Sequence, residues 1–169
     1  YHRNATETIS IYDNDDPSID NDSSSNSGTT GDSYVFDIRV TDNIGVASVN
    51  VTWSHGGLSG NTALNNDGDG TWSLTITLDH SLSNLVYSIQ VNDTSGNYSR
   101  NATETIPVFD NDNPSVNNDD SPNGGTTGDS FVYDITVSDN IAVASVNVSW
   151  THGGRSGNDA MNNDGDGTW

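Results

Sequence analysis

Residues 65–78 read NNDGDGTWSLTITL, and two structures compete for them. Asn65, Asp67 and Asp69 alternate ahead of Gly70, as in the first half of a helix–loop–helix calcium site. Such a site needs a bidentate Glu eleven residues after its first ligand, and Ile76 stands there instead. Ile76 belongs to the series Trp72, Leu74, Ile76, Leu78, with Ser and Thr between them. That is the period of two of a strand with one buried face. The stretch therefore predicts a hairpin, in which Asp-Gly supplies the positive φ of a tight turn.

The same octet, NNDGDGTW, recurs at 162–169, and other segments recur with it. RNATETI stands at 3–9 and 100–106, and VASVNV at 46–51 and 143–148, each pair 97 residues apart. Aligned without a gap, 1–72 and 98–169 share 52 identities in 72 positions. Further alternating stretches fill the repeat: Tyr34, Phe36, Ile38 and Val40; Val49, Val51 and Trp53; Leu85, Tyr87, Ile89 and Val91; and finally Ile106 and Val108. A short first strand is expected around Ile19, after Pro17, and no segment carries a capped helical stripe. The fold class that follows is all-β, with about seven strands in each 97-residue unit. That is the size and pattern of an immunoglobulin-like β-sandwich, here in tandem.

The phase of the repeat divides the chain. Residues 1–13 match 98–110 and are expected to be the final strand of a preceding repeat. Residues 14–110 are expected to form one complete domain. Residues 111–169 are expected to form an incomplete second domain, ending as its fifth strand begins at Trp169.

Charge narrows the function. The formal net charge is −20, from 22 Asp and two Glu against four Arg and no Lys. No basic patch exists to displace counterions from phosphates, so nucleic acid is not an expected partner. Cys is absent, which excludes disulfides and thiolate metal sites. No apolar run is long enough to cross a membrane as a helix, so no insertion is expected within this segment. Asp, Asn and Gly in abundance suit turns and hard cations.

VTDNIGVASVNVTW (40–53), GDGTWSLTITL (68–78) and YSIQVNDTSGNYS (87–99) together resemble the immunoglobulin-like repeats of large bacterial and archaeal surface proteins. The joining segment DNDNP (110–114) resembles the calcium-binding linkers of cadherins. The resemblance implies a β-sandwich array at the cell surface or outside the cell, serving adhesion, stalk or envelope roles. It implies no enzyme.

In such a sandwich, three loops gather at the end where the first strand enters. Asp13, Asp15 and Asp16 of the lead-in segment should there meet Asp42, Asp67, Asp69 and Asp93. The equivalents in the second unit are Asp110, Asp112, Asp139, Asp164 and Asp166, with Asn113 in place of Asp16. A calcium ion, which takes about six to eight oxygens, suits such a cluster. The alternative is a set of separately solvated turn residues. Seven Asn-X-Ser/Thr acceptors, at Asn4, Asn21, Asn50, Asn92, Asn97, Asn101 and Asn147, suit a glycosylated surface. His55 and His152 precede Gly-Gly pairs and have neither a second metal ligand nor a nucleophile at useful spacing. Catalysis is not expected. The expected function is a structural extracellular module of a filament, stalk or surface layer, whose partners are neighbouring repeats or copies of itself. The alternative is an adhesin module binding a surface glycan or protein, with Tyr98 as its contact residue.

Overall fold

The computed structural model describes residues 6–169, and they form an all-β chain with no helix among them. They fall into two compact units, one up to Phe109 and the other Asp110–Trp169.

The first unit has two main antiparallel sheets. One has the order β1 (Ser18–Asp22), β3 (Ser33–Thr41), β7 (Thr71–Thr77), β6 (Asn65–Gly68). The other has the order β10 (Glu104–Ile106), β8 (Leu85–Asp93), β4 (Val46–His55), β5 (Leu58–Ala63), and β9 (Tyr98–Arg100) also pairs with β8. Alternation in β3, β4 and β8 turns one row of side chains inward. Phe36, Ile38 and Val40 from the first sheet, and Val49, Val51, Leu85, Ile89 and Val91 from the second, join one hydrophobic cluster. Phe36 packs edge-on against Tyr34 and Tyr87, with ring centroids 5.2 and 4.9 Å apart. The arrangement is sandwich-like.

The octet at 65–72 forms a hairpin turn. Gly68 pairs with Thr71 across the two-residue loop Asp69-Gly70, at φ 49° and 89°. Positive φ at both central residues is what the twist of paired strands demands of so short a loop.

The final strand is broken by Pro107, which cannot donate to a ladder. β10 stays on β8, while β11 (Val108–Phe109) crosses to pair in parallel with β2 (Gly28–Thr29). Residues 6–13, expected to form the same strand for a preceding repeat, form no strand. Their counterparts at 104–109 pair with β8 and β2, whereas Ile9, Ile11 and Tyr12 are exposed with no strand beside them among the described residues.

The second unit repeats part of this plan. β12 (Ser115–Asp119) pairs with β13 (Ile135–Ser138) as β1 does with β3. β14 (Asn147–His152) pairs with β15 (Arg155–Ala160) as β4 does with β5. The Asp-Gly turn recurs, with Asp166 at φ 49° and Gly167 at 90°.

Candidate metal site at the loop end of the first unit

β3 ends at Thr41, and the loop to β4 begins with Asp42. β8 ends at Asp93, where the loop to β9 begins. Asp13 lies in the lead-in segment ahead of β1. The sheets bring these three acids to one place, with one carboxylate oxygen of each lying within 4.8 Å of the others.

Each carboxylate is held by its own loop. Asp42 Oδ1 accepts the N–H groups of Ile44 at 3.0 Å and Gly45 at 2.7 Å. Asp93 Oδ1 accepts those of Ser95, Gly96 and Asn97 at 2.6–2.9 Å. Asp13 Oδ1 accepts the N–H of Asp15 at 3.2 Å. Short polar side chains that cap their own turns in this way are locked in orientation. The remaining oxygens carry the chemistry. Asp13 Oδ2 and Asp42 Oδ2 are out of contact with solvent and have no hydrogen-bond partner among the described residues. Buried acceptors are normally satisfied, so two such carboxylate oxygens in one cluster fit a cation.

Asp93 is the most buried of the three, at 4% exposure. Burial works against its ionisation. The Asn97 side chain and the backbone N–H groups of Asn97, Gly96 and Ser95 outweigh it and hold the carboxyl below its ordinary value. Asn97 Nδ2 donates to Asp93 Oδ2 at 2.7 Å and reaches the main-chain oxygen of Asp13 at 3.5 Å. Asn97 therefore ties the lead-in segment to the β8–β9 loop. Sequence reading marked Asn97 only as a glycan acceptor; the pattern Asp93-Thr-Ser-Gly-Asn97, an acid ahead of a tight turn, carried the signal.

The other expected ligands lie outside this group. Asp15 Oδ2 accepts from Asn43 Nδ2 at 2.7 Å, Asp69 Oδ1 accepts the Thr71 hydroxyl at 2.9 Å, and Asp16 and Asp67 are exposed. Asp69-Gly70 is at the same end of the unit, since the carbonyl of Gly70 accepts the N–H of Val40. Its carboxylate is spent within its own turn.

In the second unit the supports recur without the full group. Asp139 Oδ1 accepts the N–H groups of Ile141 and Ala142 at 2.9 and 3.0 Å. Asp112 Oδ2 accepts from Asn140 Nδ2 at 2.7 Å, and Asp110 Oδ1 accepts the Asp112 N–H at 3.1 Å. Asp164 is exposed, and Asp166 Oδ1 accepts the Thr168 hydroxyl at 2.7 Å. No group of three acids forms there among the described residues.

The glycan acceptors divide by access. Asn21 and Asn147 are exposed and Asn50 is half-buried in β4. Asn92, Asn97 and Asn101 are half-buried with engaged amides: Asn92 Nδ2 donates to Ser48, and Asn101 Oδ1 accepts the Ile89 N–H at 2.6 Å. Asn4 lies outside the described residues.

His55, the polar residue ahead of its Gly-Gly turn, is buried. It is 2% exposed, its Nδ1 accepts the Asp79 N–H at 3.0 Å, and its Nε2 lies 3.2 Å from the Ser81 carbonyl. Nδ1 thus serves as acceptor, and Nε2 faces the Ser81 carbonyl as donor. Both nitrogens are structural.

No protein-family model matches the chain, and no curated protein sequence matches it.

Proposed function

We propose that this chain is a segment of a structural extracellular protein, a filament, stalk or surface layer, built from tandem immunoglobulin-like sandwiches. Its sheet order supports the immunoglobulin-like part of the reading. β1-β3-β7-β6 facing β10-β8-β4-β5 corresponds to the ABED and GFCC′ arrangement of that fold. The 97-residue repeat supports the tandem part. The single observation that carries the mechanism is the convergence of Asp13, Asp42 and Asp93, with two of their oxygens buried and unpartnered. Calcium held there joins the segment that leads into the sandwich to its loop end, stiffening the point where one repeat would enter the next. In a chain of charge −20 it also relieves carboxylate repulsion. Sugars on Asn21, Asn50 or Asn147 are compatible with this role: Asn147 is exposed, Asn50 half-buried, and exposed Asn21 would give up only the bond from its Nδ2 to the Ser23 hydroxyl. The His55 ring serves the backbone of the turn after β7.

Calorimetric titration with calcium, read beside limited proteolysis of residues 6–16, tests the site. Binding is expected in the wild type, with the lead-in segment protected as the ion is added. Asp42→Asn and Asp93→Asn should abolish both effects while the β-sheet circular dichroism is kept. A folded wild type that gives no heat and no protection refutes the calcium reading. A chain of several repeats whose small-angle scattering is unchanged by EDTA refutes the stiffening role.

A second reading is an adhesin module. Tyr98 supports it, being 63% exposed beside the β8–β9 loop. A glycan array in which binding depends on Tyr98 separates the two.

A further inference from the structure

β5 and β15 are equivalent strands, each turned back on its neighbour by a two-residue Gly-Gly loop. In the first unit β5 is the outermost strand of its sheet, with β8 in place on the far side of β4. Among the described residues no strand pairs with the outer edge of β5 or of β15. Leu58–Ala63 carries no charge, and two of its positions differ in β15: Arg155 stands for Leu58, and Asp159 for Thr62. Arg155 is the only Arg or Lys from Asp110 onward, among ten Asp. A base and an acid thus enter together, four residues apart, on an exposed edge strand.

Backbone geometry fixes what that edge offers. The pairs His152–Arg155, Trp150–Gly157 and Val148–Asp159 follow the loop in steps of two. The Met161 N–H, bonded to the Val146 carbonyl at 2.9 Å, continues the series. In a hairpin closed by a two-residue loop, these are the pairs that exchange both hydrogen bonds. The N–H and C=O groups of Ser156 and Asn158 therefore point away from β14. Arg155, Gly157 and Asp159 share the face of Trp150, whose Nε1 donates to Asp159 Oδ2 at 2.7 Å and so orients that carboxylate.

We propose that the outer edge of β15 is a self-pairing surface, which takes β15 of a second copy of this chain as an antiparallel strand. A two-fold axis at Gly157 sets Ser156 opposite Asn158 of the second copy, in register for about four backbone hydrogen bonds. In the same register Arg155 lies opposite Asp159 of the second copy, and Asp159 opposite its Arg155. Both pairs fall at non-hydrogen-bonded positions, where Cα atoms are about 4.5 Å apart and side chains are closest. An axis at Asn158 would instead set Asp159 opposite Gly157 and leave both charges without an opposite partner. The charges therefore select one register. Charged edges usually turn other strands away, but this acid and base are self-complementary, as a two-fold contact requires. In the same register β5 would set Leu58 against Thr62, so the contact belongs to the second unit. So short an edge makes a weak, reversible interface. It depends neither on calcium nor on an extracellular role.

Sedimentation equilibrium of the full chain and its charge variants tests the pairing. The wild type should self-associate reversibly. Arg155→Asp and Asp159→Arg should each weaken that association by about tenfold or more, because each sets like charges opposite one another. An equimolar mixture of the two variants should restore it. General charge repulsion predicts otherwise, since Asp159→Arg makes the chain less acidic and would then strengthen association. Both variants should keep the β-sheet circular dichroism. Arg155 is exposed, and the first unit already tolerates a Trp53 Nε1 with no hydrogen-bond partner. Cross-linking reads the register, since the chain has no Cys. Ser156→Cys mixed with Asn158→Cys should form the mixed disulfide faster than either variant forms one with itself. A wild type that stays monomeric up to about 1 mM overturns the proposal. So does association that the charge variants leave unchanged, or that their mixture fails to restore. Same-residue disulfides forming as fast as the mixed one overturn the register.

Discussion

His55 and His152 occupy equivalent positions one repeat apart, yet only His55 is buried. The difference comes from what surrounds them. The turn after β7 presents the Asp79 N–H and the Ser81 carbonyl to the His55 ring. Asp79 also accepts the Gly57 N–H at 3.0 Å, so this turn grips the Gly-Gly corner as well as the histidine. His152 has no such turn against it among the described residues, and its ring stays exposed. His55→Ala should leave a buried donor, a buried acceptor and a void, costing about 2–4 kcal/mol. His152→Ala should fall within about 0.5 kcal/mol of wild type. Urea unfolding of both variants measures the contrast; equal effects would show that the ring's hydrogen bonds do not matter.

Among elements, the hairpin at Asp69-Gly70 carries the sharpest sequence constraint. Gly70 has φ 89°, and a Cβ placed there would lie 3.0 Å from the Val40 carbonyl oxygen, a backbone atom that cannot step aside. Gly70→Ala should therefore cost about 1–2 kcal/mol, seen as a lower urea midpoint, while Asp69→Asn should be nearly neutral because Asn also tolerates left-handed backbone. This turn was legible because its chemistry is local, and so were the long strands. Alternation of Tyr34, Phe36, Ile38 and Val40 against polar neighbours admits one face for the core, and those four are buried. β5 was not legible. Leu58–Ala63 has no buried row, and it is a strand because the edge of β4 offers it a ladder. The form of residues 6–13 was hidden for the converse reason, since the sequence that is strand at 104–106 has no partner strand among the described residues at its other occurrence. At the loop end, the sequence brought the right segments together and named Asp13, Asp42 and Asp93, but within a larger set of acids that it could not narrow. Asp13, Asp42 and Asp93 meet, while Asp15 and Asp69 turn to local donors whose geometry no spacing reveals.

At the scale of the whole molecule, the distribution of ionisable groups sets the pH range of stability. Three acids are held below their ordinary value of 3.8. Asp79 is held by the N–H groups of Gly57 and His80, and Asp119 by the hydroxyl and N–H of Ser121. In Asp93, hydrogen bonds from the Asn97 side chain and its loop's N–H groups outweigh burial. The unfolded chain takes up these protons first as pH falls. The stability they contribute is therefore complete above pH 3.8 and drains away as pH drops through the lower folded values. The alkaline limit is set by tyrosine. Burial, followed by the charge of Asp22, pushes Tyr34 from 10.0 up to about 12. Tyr87, buried and donating to Asp22 Oδ2 at 2.7 Å, is raised further. A raised folded value means that the unfolded chain loses the proton first. Stability is then complete below pH 10.0 and falls as pH rises towards 12. The calcium-free chain should therefore show a plateau in unfolding free energy with a decline on each side. The alkaline decline should coincide with tyrosinate absorbance and shrink in Tyr34→Phe, which keeps the ring and loses only the hydroxyl that donates to the Ser25 carbonyl. Added salt should raise the plateau of a chain at −20 by screening its self-repulsion, without moving the alkaline edge, because buried tyrosines are screened far less than surface carboxylates. An alkaline decline of equal size in Tyr34→Phe would remove Tyr34 from the alkaline limit and leave it to Tyr87, whose hydroxyl donates to Asp22 across the two sheets.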